Sequence, residues 1–493
     1  MCDSKEKAEI LLDQFQSVFT RDGGSAPPHL DPPQHPIISD ININTAGVCK
    51  LLKAINPHKA CGPDQIPNVI LKNCADTLAP ALRDIFQRSL DTAVLPSDWR
   101  TANVSAVFKK GDKHLPENYS PISLTSVPCK IIEHIIYRHL VTYLEEHNIL
   151  TDLNHGFIAG FSCETQLLTT MHDLFSFFDT GTQTDMAVLD FSKAFDTVPH
   201  SKLLTKVSHY GIGGTILEWL NKFLTGRTMK VVLDGKMSRE IPVDSGVPQG
   251  TVLGPLLFLC HINDLPTSVK SQVRLFADDC LLYRKIQTFN DHILLQKDLT
   301  QLGKWANTWG MNFNTNKCHI LSIKNKTQFF YSLNNETLEY VTTNPYLGIT
   351  ISNDLKWHSH ISTITKKANS TLGFLRRNIR RCPINSKRTA YIALVRAVLE
   401  YGAIVWDPYH RGDIDKLEQI QHRAARFITG DYRSRHPGSV TTMLTNLNHD
   451  TLDNRRRDQR QKFIYRTVRG SIPALPSETF FLPPKNKQKT HSA

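Results

Sequence analysis

Three aspartates lie at the ends of two apolar runs. Asp190 follows MAVL in the run MAVLDF at 186–191, and Asp278 and Asp279 separate VRLFA at 273–277 from CLLYR. Such runs predict buried strands, and two runs joined by an Asp pair predict a hairpin. Carboxylate oxygens suit hard divalent cations, and two ions roughly 3.5–4 Å apart stabilise the charge that develops when a nucleotide is transferred to a 3′-hydroxyl. We therefore predict that the three aspartates hold two metal ions; the alternative is an ordinary Asp pair in an exposed turn.

The elements that would position these carboxylates follow from periodicity and turn residues. TANVSAVF at 101–108 predicts a strand, and the Gly-, Pro- and Asp-rich stretch 21–40 predicts a linker or a wrapped extended segment. Apolar residues at helical spacing predict helices at 4–20, 45–90 (interrupted by the turn KACGPDQIP), 127–146, 291–309, 361–379, 387–405 and 413–428.

Composition favours a folded protein with a polyanionic partner. The chain has 493 residues, 40% hydrophobic and 21% charged, with a net charge of +12, and this length predicts two to four domains. No apolar run approaches the roughly 20 residues of a membrane span, and the first residues are no secretory signal, so nucleic acid is a better partner than a membrane. The ten cysteines lack zinc spacing, and no disulfide framework is expected in an intracellular chain. The basic stretch PPKNKQK leaves nucleus and cytoplasm undecided.

Positive charge is concentrated in the C-terminal helices. Residues 366–435 contain 15 lysines and arginines against six acidic residues. On the first of these helices, most of the basic residues lie off the apolar stripe that begins at Ile361. One basic helix is as often a solvated face as a binding surface. Three successive helices with the same bias indicate a surface that follows a phosphate backbone.

The run from about 95 to 355 resembles, block by block and in order, the reverse transcriptases of non-LTR (LINE-type) retrotransposons. VSAVFKKGD, NYSPISLTSVPCKIIE and HGFIAGFSCETQLL resemble the fingers blocks, and MAVLDFSKAFDTVPH, SGVPQGTVLGPLLFLCHINDL and LFADDCLLY resemble three palm motifs. WANTWGMNFNTNKC and YLGITISNDLKW resemble the last palm block and the primer-side segment. The segment from RTAYIALVRAVLEYGAIVWDP to IQHRAARFITGDY looks like the helical region that follows the polymerase in jockey-like elements.

This resemblance implies an α/β right-hand polymerase with an antiparallel palm sheet. Such an enzyme copies an RNA template into DNA, using a DNA primer, dNTPs and two Mg²⁺ ions. Nothing in the sequence resembles the endonuclease that such elements usually encode upstream, so nicking of target DNA is not expected. The implied division is an N-terminal extension (1–94), fingers (95–184), palm (185–330), thumb (331–385) and a basic helical C-terminal region (386–493).

The resemblance also assigns roles to the acidic residues and one lysine. Asp190 would be the first metal ligand and Asp278 the second, with Asp279 completing the acidic site. Lys317 matches the lysine of the last palm block and would protonate the departing pyrophosphate as a general acid; a solvated lysine is the alternative.

Four further residues would contact the incoming nucleotide. Phe195, five residues after Asp190, would be the steric gate that leaves no room for a 2′-hydroxyl, or else a core aromatic. Gln249, in SGVPQG, would contact the nucleotide from the junction of palm and fingers. Lys109 and Lys110 would meet the triphosphate.

Two departures from the family pattern leave alternatives open. Ser120 stands where the family usually has an arginine, and Ile158 stands where it usually has arginine or lysine. These changes favour a second reading, a decayed or host-adopted copy that only binds RNA. An RNA-dependent RNA polymerase would use a similar Asp pair, but Phe195 and SGVPQG argue against it. A small-molecule enzyme finds no support, because neither GxxxxGK[ST] nor a GxGxxG after a strand occurs.

Overall fold

The computed structural model describes residues 3–20 and 27–480 of the chain. Short 3₁₀ turns lie at Pro116–Asn118, Leu265–Ser268 and Thr315–Lys317, and a π-helical turn lies at Tyr391–Arg396. The α-helices are α1 (Ser4–Gln16), α2 (Thr45–Lys53), α3 (Asn68–Asn73), α4 (Ala75–Thr92), α5 (Ser97–Arg100), α6 (Val127–Glu146), α7 (Cys163–Asp179), α8 (Ala194–Thr197), α9 (His200–His209), α10 (Gly214–Leu224), α11 (Leu253–Ile262), α12 (Phe289–Trp309), α13 (His358–Asn378), α14 (Ile384–Ala390), α15 (Ala397–Glu400), α16 (Ala403–Trp406), α17 (Arg411–Thr429), α18 (Ser439–Asn446), α19 (Leu452–Val468) and α20 (Ser477–Phe480).

The strands form two five-stranded sheets and two hairpins. They are β1 (Thr101–Phe108), β2 (Tyr119–Leu124), β3 (Gln183–Leu189), β4 (Thr228–Leu233), β5 (Lys236–Met237), β6 (Ile241–Pro242), β7 (Gln272–Phe276), β8 (Asp279–Ile286), β9 (His319–Ile323), β10 (Ser332–Leu333), β11 (Glu336–Thr337), β12 (Glu339–Val341), β13 (Thr343–Tyr346) and β14 (Ile349–Ser352). The N-terminal sheet has the order β2-β1-β4-β5, with β6 also on β4; the central sheet has the order β12-β9-β3-β8-β7. Only the pairs β1–β4 and β12–β9 are parallel in these described sheets, so the fold is mixed α/β with mostly antiparallel sheets.

The central sheet is buried on both faces. On β3, Ala187 and Leu189 join a large core with α6, α9, α11 and α12. Met186, on the other face, joins a second core with α7, α13 and α17. Because both faces are covered, the strand is a continuous apolar run rather than an alternating one. The predicted buried strand and the predicted hairpin of β7 and β8 are both confirmed.

Helix α1 packs on the N-terminal sheet. Leu12 and Phe15 of α1 pack on the N-terminal sheet, in a small core with Val104. The predicted helix at 4–20 therefore exists but ends earlier, at Gln16.

The predicted extended segment at 21–40 is confirmed from residue 27 onward. It is pinned by hydrogen bonds rather than by regular structure: the Ile38 N–H donates to the Gly211 carbonyl (3.0 Å), and the Tyr143 hydroxyl donates to the Pro36 carbonyl (2.7 Å). Residues 21–26 of the prediction lie outside the described residues.

One helix prediction is wrong. The expected single helix at 387–405 is divided into α14, the π-helical turn, α15 and α16. The backbone leaves the helical conformation at Tyr401, whose ψ is 122°. This break frees the Tyr401 carbonyl to accept a hydrogen bond from the indole Nε1 of Trp406 (2.8 Å), whose ring is fully buried. Burial of a large aromatic ring with its polar atom satisfied outweighs continuity of the helix.

Within residues 3–20 and 27–480, no helix is both long enough and apolar enough to span a bilayer.

Candidate active site

The end of β3 carries Asp190 to one end of the central sheet. Its backbone is held on two sides, because the Asn314 N–H donates to the Asp190 carbonyl (2.8 Å) and the Asp190 N–H donates to Cys318 Sγ (3.5 Å). Lys317 Nζ lies 3.0 Å from Asp190 Oδ2, and 59% of the Lys317 side chain is exposed. Two predicted site residues, Asp190 and Lys317, are therefore in direct contact.

The β7–β8 hairpin brings the other two carboxylates to the same end of the sheet. Asp278 lies in the tight turn, and Asp279 is the first residue of β8. Strands β3 and β8 are antiparallel, and their last pair is Leu189 with Cys280. One step further in the same register, Asp190 faces Asp279. The three predicted aspartates thus converge through strand pairing alone.

The hairpin turn is supported by a segment that precedes α7. Residues 153–156 run beside β7, with the Leu275 N–H donating to the Leu153 carbonyl (2.9 Å). The side-chain oxygen of Asn154 accepts hydrogen bonds from the N–H groups of Ala277 (3.1 Å) and Gly156 (3.0 Å). A Cβ on Gly156 would lie 2.4 Å from the Ala277 nitrogen, so only glycine permits this approach. Asn154 was not singled out by the sequence analysis; its position directly before HGFIAGF was the available signal.

Burial and neighbouring negative charge raise the pKa values of Asp278 and Asp279. Burial raises the pKa of Asp278, and the charge of Asp190 raises it further. Desolvation, with the charges of Asp278 and Asp190, raises the pKa of Asp279 to about 6. Across residues 3–20 and 27–480, no three His, Cys, Asp or Glu side chains lie close enough to hold a metal ion as they stand. Lys317 instead supplies the positive charge beside Asp190. Crowded carboxylates of raised pKa fit a divalent cation, since its charge would favour their ionised form.

Phe195 lies in the short helix α8 and Gln249 in the loop before α11, and these two segments are bound to one another. The Phe195 ring stacks on Phe258 with centroids 4.4 Å apart, so it is at least partly a core aromatic. Gln249 Nε2 donates to Asp196 Oδ1 (2.8 Å), and the Gln249 carbonyl accepts from the Ser123 N–H (2.7 Å). Burial raises the pKa of Asp196, while the hydrogen bond from Gln249 lowers it. Asp196 therefore fixes the orientation of the Gln249 amide.

The backbones of the same two segments pack tightly. The Val247 N–H donates to the Phe195 carbonyl (2.8 Å), and the Ser245 hydroxyl donates to the Asp196 carbonyl (2.7 Å). A Cβ on Gly246 would lie 2.7 Å from the Phe195 carbonyl oxygen, so this glycine serves the approach of one segment to the other. The block SGVPQG is thus held against the block that contains Asp190.

The two predicted triphosphate lysines differ in position. Lys109 follows β1, and its N–H donates to the Asn118 carbonyl (2.9 Å). The charges of Lys109 and Lys317 act on Asp278 and lower its pKa against the effect of burial. Lys110 is exposed, and its charge is not among the main interactions that shift the pKa of Asp278 or Asp279. The charge of Lys109 therefore acts on Asp278, and the role of Lys110 stays a prediction.

Lys193 is a third lysine at this place that the sequence analysis missed. Burial lowers its pKa, the charge of Asp196 opposes this effect, and the charges of Lys109 and Lys317 add to it. Its Nζ donates to the Glu117 carbonyl (3.4 Å). Its position three residues after Asp190, within LDFSKAFDTVPH, was the signal that could have revealed it.

The two family departures supply no charge to this cluster. Ser120 is 5% exposed and lies on β2 opposite Val107. Ile158 is half-buried, two residues after Gly156. The positive charge that acts on the aspartates in the described chain therefore comes from lysines.

Carboxylates at the end of one antiparallel strand and in the turn of its neighbour, faced by lysines, are typical of nucleotide-transferring polymerases. Comparison with known proteins defines the family. Residues 107–351 match the family "Reverse transcriptase (RNA-dependent DNA polymerase)". Residues 107–351 are thus a reverse transcriptase domain, and the chain is similar to the polymerases of non-LTR retrotransposons.

Its relatives include three proteins of Drosophila melanogaster. The "Probable RNA-directed DNA polymerase from transposon BS" is 27% identical over 85% of this chain and 48% of its own length. The "Probable RNA-directed DNA polymerase from transposon X-element" is 26% identical over 79% and 45%, respectively. The "RNA-directed DNA polymerase from mobile element jockey" is 26% identical over 87% and 49%. The chain thus spans about half the length of each of these curated relatives.

Proposed function

We propose that this chain is an RNA-directed DNA polymerase, which transfers nucleotides from dNTPs to the 3′-hydroxyl of a primer on an RNA template. The observation that carries this proposal is the register of β3 and β8, which sets Asp190 opposite Asp279 and beside the turn that contains Asp278. The family match over 107–351 and the polymerase names of the relatives support it.

Asp190, Asp278 and Asp279 would hold two Mg²⁺ ions. Bound magnesium would supply Lewis-acid stabilisation of the attacking oxygen, the leaving oxygen and the phosphoryl group between them. The charge of Asp190 raises the pKa of Asp278, the charges of both raise the pKa of Asp279, and this unfavourable charge supports cation binding. Lys317, which contacts Asp190, would leave that carboxylate and donate its proton to the departing pyrophosphate.

The incoming nucleotide would be bound between the carboxylates and the two joined segments. Phe195 would close the space beneath the sugar and exclude a 2′-hydroxyl. Gln249 would contact the nucleotide, with Asp196 holding its amide in place. Lys109 and Lys193, with Lys110 nearby, would neutralise the triphosphate in place of the arginine that the family carries at position 120.

We further propose the right-hand division of the chain. The N-terminal extension (1–94) would precede fingers (95–184), palm (185–330), thumb (331–385) and a basic helical region (386–493). The central sheet would then be the palm sheet. The template would lie along the basic helices and be gripped through its phosphates, so binding should weaken steeply with added salt.

The test is extension of a DNA primer on an RNA template with magnesium and dNTPs. An Asp278→Asn, Asp279→Asn double variant should abolish extension. Asp234→Asn, in the exposed β4–β5 turn, removes one carboxylate far along the chain from the predicted ligands and should leave extension intact. Extension that survives the double variant would contradict the proposal. Use of ribonucleotides in preference to dNTPs would indicate an RNA polymerase.

Template binding without synthesis would indicate a catalytically decayed copy. Ser120→Arg would then be tested for restored extension, because it returns the family's charged residue. Restoration would place the defect in nucleotide binding rather than in the aspartates.

A further inference from the structure

A cleft outside the matched polymerase segment combines three arginines with one aromatic ring. The last turn of α13 contributes Arg376 and Arg377, the turn that follows it contributes Arg380, and the loop after α17 contributes Tyr432. The cleft has a volume of about 550 Å³, within the range that accepts a nucleotide-sized ligand. We infer that this cleft binds an unpaired nucleotide of single-stranded RNA, through stacking on Tyr432 and phosphate contacts to the arginines.

The arginines of the cleft differ from two exposed arginines of the C-terminal helices that form ion pairs. Arg411 pairs with Asp415 at 3.0 Å, and Arg457 pairs with Asp453 at 3.4 Å. In contrast, no acidic side chain within residues 27–480 forms an ion pair with any of the three cleft arginines. Unpaired guanidinium groups that line one cleft repel one another, and a phosphate backbone would relieve that repulsion.

The loop that carries Tyr432 is fixed relative to α17. Arg426 Nη1 donates to the Ser434 carbonyl (2.8 Å). The side chain of Asp431 accepts from the N–H groups of Arg433 (2.9 Å) and Ser434 (3.0 Å), so this carboxylate is engaged by its own loop. Tyr432 therefore lies in a turn that is held by hydrogen bonds.

The ring is placed for stacking. Tyr432 is 41% exposed, and the guanidinium carbon of Arg376 lies 5.5 Å from its ring centroid. Aromatic side chains flanked by arginines bind unpaired bases, because every base offers a stacking face and its phosphates meet the guanidinium groups. Paired bases are already stacked in a helix and cannot use the ring in this way. The combination therefore favours single-stranded RNA over duplex.

This inference rests on the proposed function only for the choice of RNA, and its test needs no synthesis. Binding of a fluorescent oligouridylate would be followed by anisotropy in EDTA over a series of salt concentrations. The triple variant Arg376→Gln, Arg377→Gln, Arg380→Gln should weaken binding and lower the slope of log affinity against log salt by about 2, because each lost phosphate contact contributes about 0.7 for a single strand. A charge-matched control, Lys53→Gln, Arg83→Gln, Arg239→Gln, removes basic residues that already pair with acidic side chains and lie outside the C-terminal helices, and it should leave the slope nearly unchanged.

The ring is tested separately. Tyr432→Ala should weaken oligouridylate binding about tenfold, whereas Tyr432→Phe, which keeps the ring, should bind like the wild type. Affinity for a blunt RNA duplex should be the same in all three proteins. Equal slopes for the two triple variants, or an unchanged affinity in Tyr432→Ala, would overturn the inference. The inference would also be overturned if the cleft triple variant lost binding to phosphatidylserine vesicles while its RNA binding was unchanged. That result would assign the cleft to a membrane surface. A chain that fails to extend primers but passes these tests would overturn the proposed function alone.

Discussion

The neighbouring lysines Lys109 and Lys110 give a sharp test of the nucleotide site, since they share charge and sequence context but not surroundings. The charge of Lys109 affects the pKa values of Asp278, Asp196 and Lys193, whereas the charge of Lys110 is not among the main interactions that shift these three pKa values. A charge-assisted contact contributes about 1.5–3 kcal/mol, and because the Lys109 side chain is exposed we take the lower end. Lys109→Ala should then raise the KM for dNTP about tenfold, and Lys110→Ala should change it about twofold or less.

The assay is steady-state incorporation of a single dNTP on a preannealed RNA template and DNA primer. Both variants should unfold at the wild-type temperature, because both side chains are exposed. Lys109→Arg keeps the charge and should recover most of the wild-type KM. Equal increases of KM in the two alanine variants would show that only net charge matters. An unchanged KM in Lys109→Ala would remove this lysine from the triphosphate site.

Three further predictions concern other residues of the site. Phe195→Leu should raise the ratio of ribonucleotide to deoxynucleotide incorporation about tenfold in a competition assay, because the shorter side chain leaves room for a 2′-hydroxyl. Asn154→Ala removes one hydrogen bond to the hairpin turn and one within its own segment, and it should lower the free energy of unfolding by about 2 kcal/mol, measured by urea denaturation, with a larger loss of extension. Asp279→Asn should stabilise the metal-free protein at pH 7 and not at pH 4. The raised pKa means that the ionised carboxylate destabilises the fold, a penalty that develops as pH rises from about 4 to about 6. The rise of the Asp279 pKa from 3.8 to about 6 corresponds to at most about 3 kcal/mol of unfolding free energy, and solvent at this exposed side chain reduces the penalty to about 1 kcal/mol. Magnesium should narrow the difference in melting temperature between the variant and the wild type.

Several elements around the carboxylates could be predicted because each has a local signal. The strand at 101–108 and the helix at 127–146 coincide with β1 and α6, and the helix predicted at 291–309 is α12, which begins two residues earlier. Capping and turn residues end these elements within the chain itself, so no distant contact is needed to fix them. The prediction of a single helix at 387–405 was wrong because its break depends on distant contacts. Burial of Trp406 depends on the second core, which no local pattern describes.

The composition of the site could be predicted only in part. Asp190, Asp278 and Asp279 follow from their positions at strand ends, but their meeting depends on the register of β3 and β8, which is a pairing of distant segments. Lys109 and Lys110 are equivalent in sequence, and only their direction at the end of β1 distinguishes them. Asp196 and Lys193 lie inside a recognised block, yet their roles depend on Gln249 and Glu117, which lie elsewhere in the chain.

The support of the aspartates comes from backbone groups of segments far apart in sequence. The Asn314 N–H binds the Asp190 carbonyl, and residues 153–156 run beside β7 to hold the turn that contains Asp278. Backbone contacts constrain the course of a segment more than the identity of its side chains, except where a glycine or an amide must fit. Mutually repelling carboxylates need such a rigid frame, because a mobile hairpin would move them apart in the absence of metal. Relatives about one-quarter identical can therefore keep the same site, provided that positions such as Gly156 and Asn154 retain their residues. Gly156→Ala should accordingly lower the rate of primer extension more than Phe157→Ala, a substitution of the exposed residue beside it.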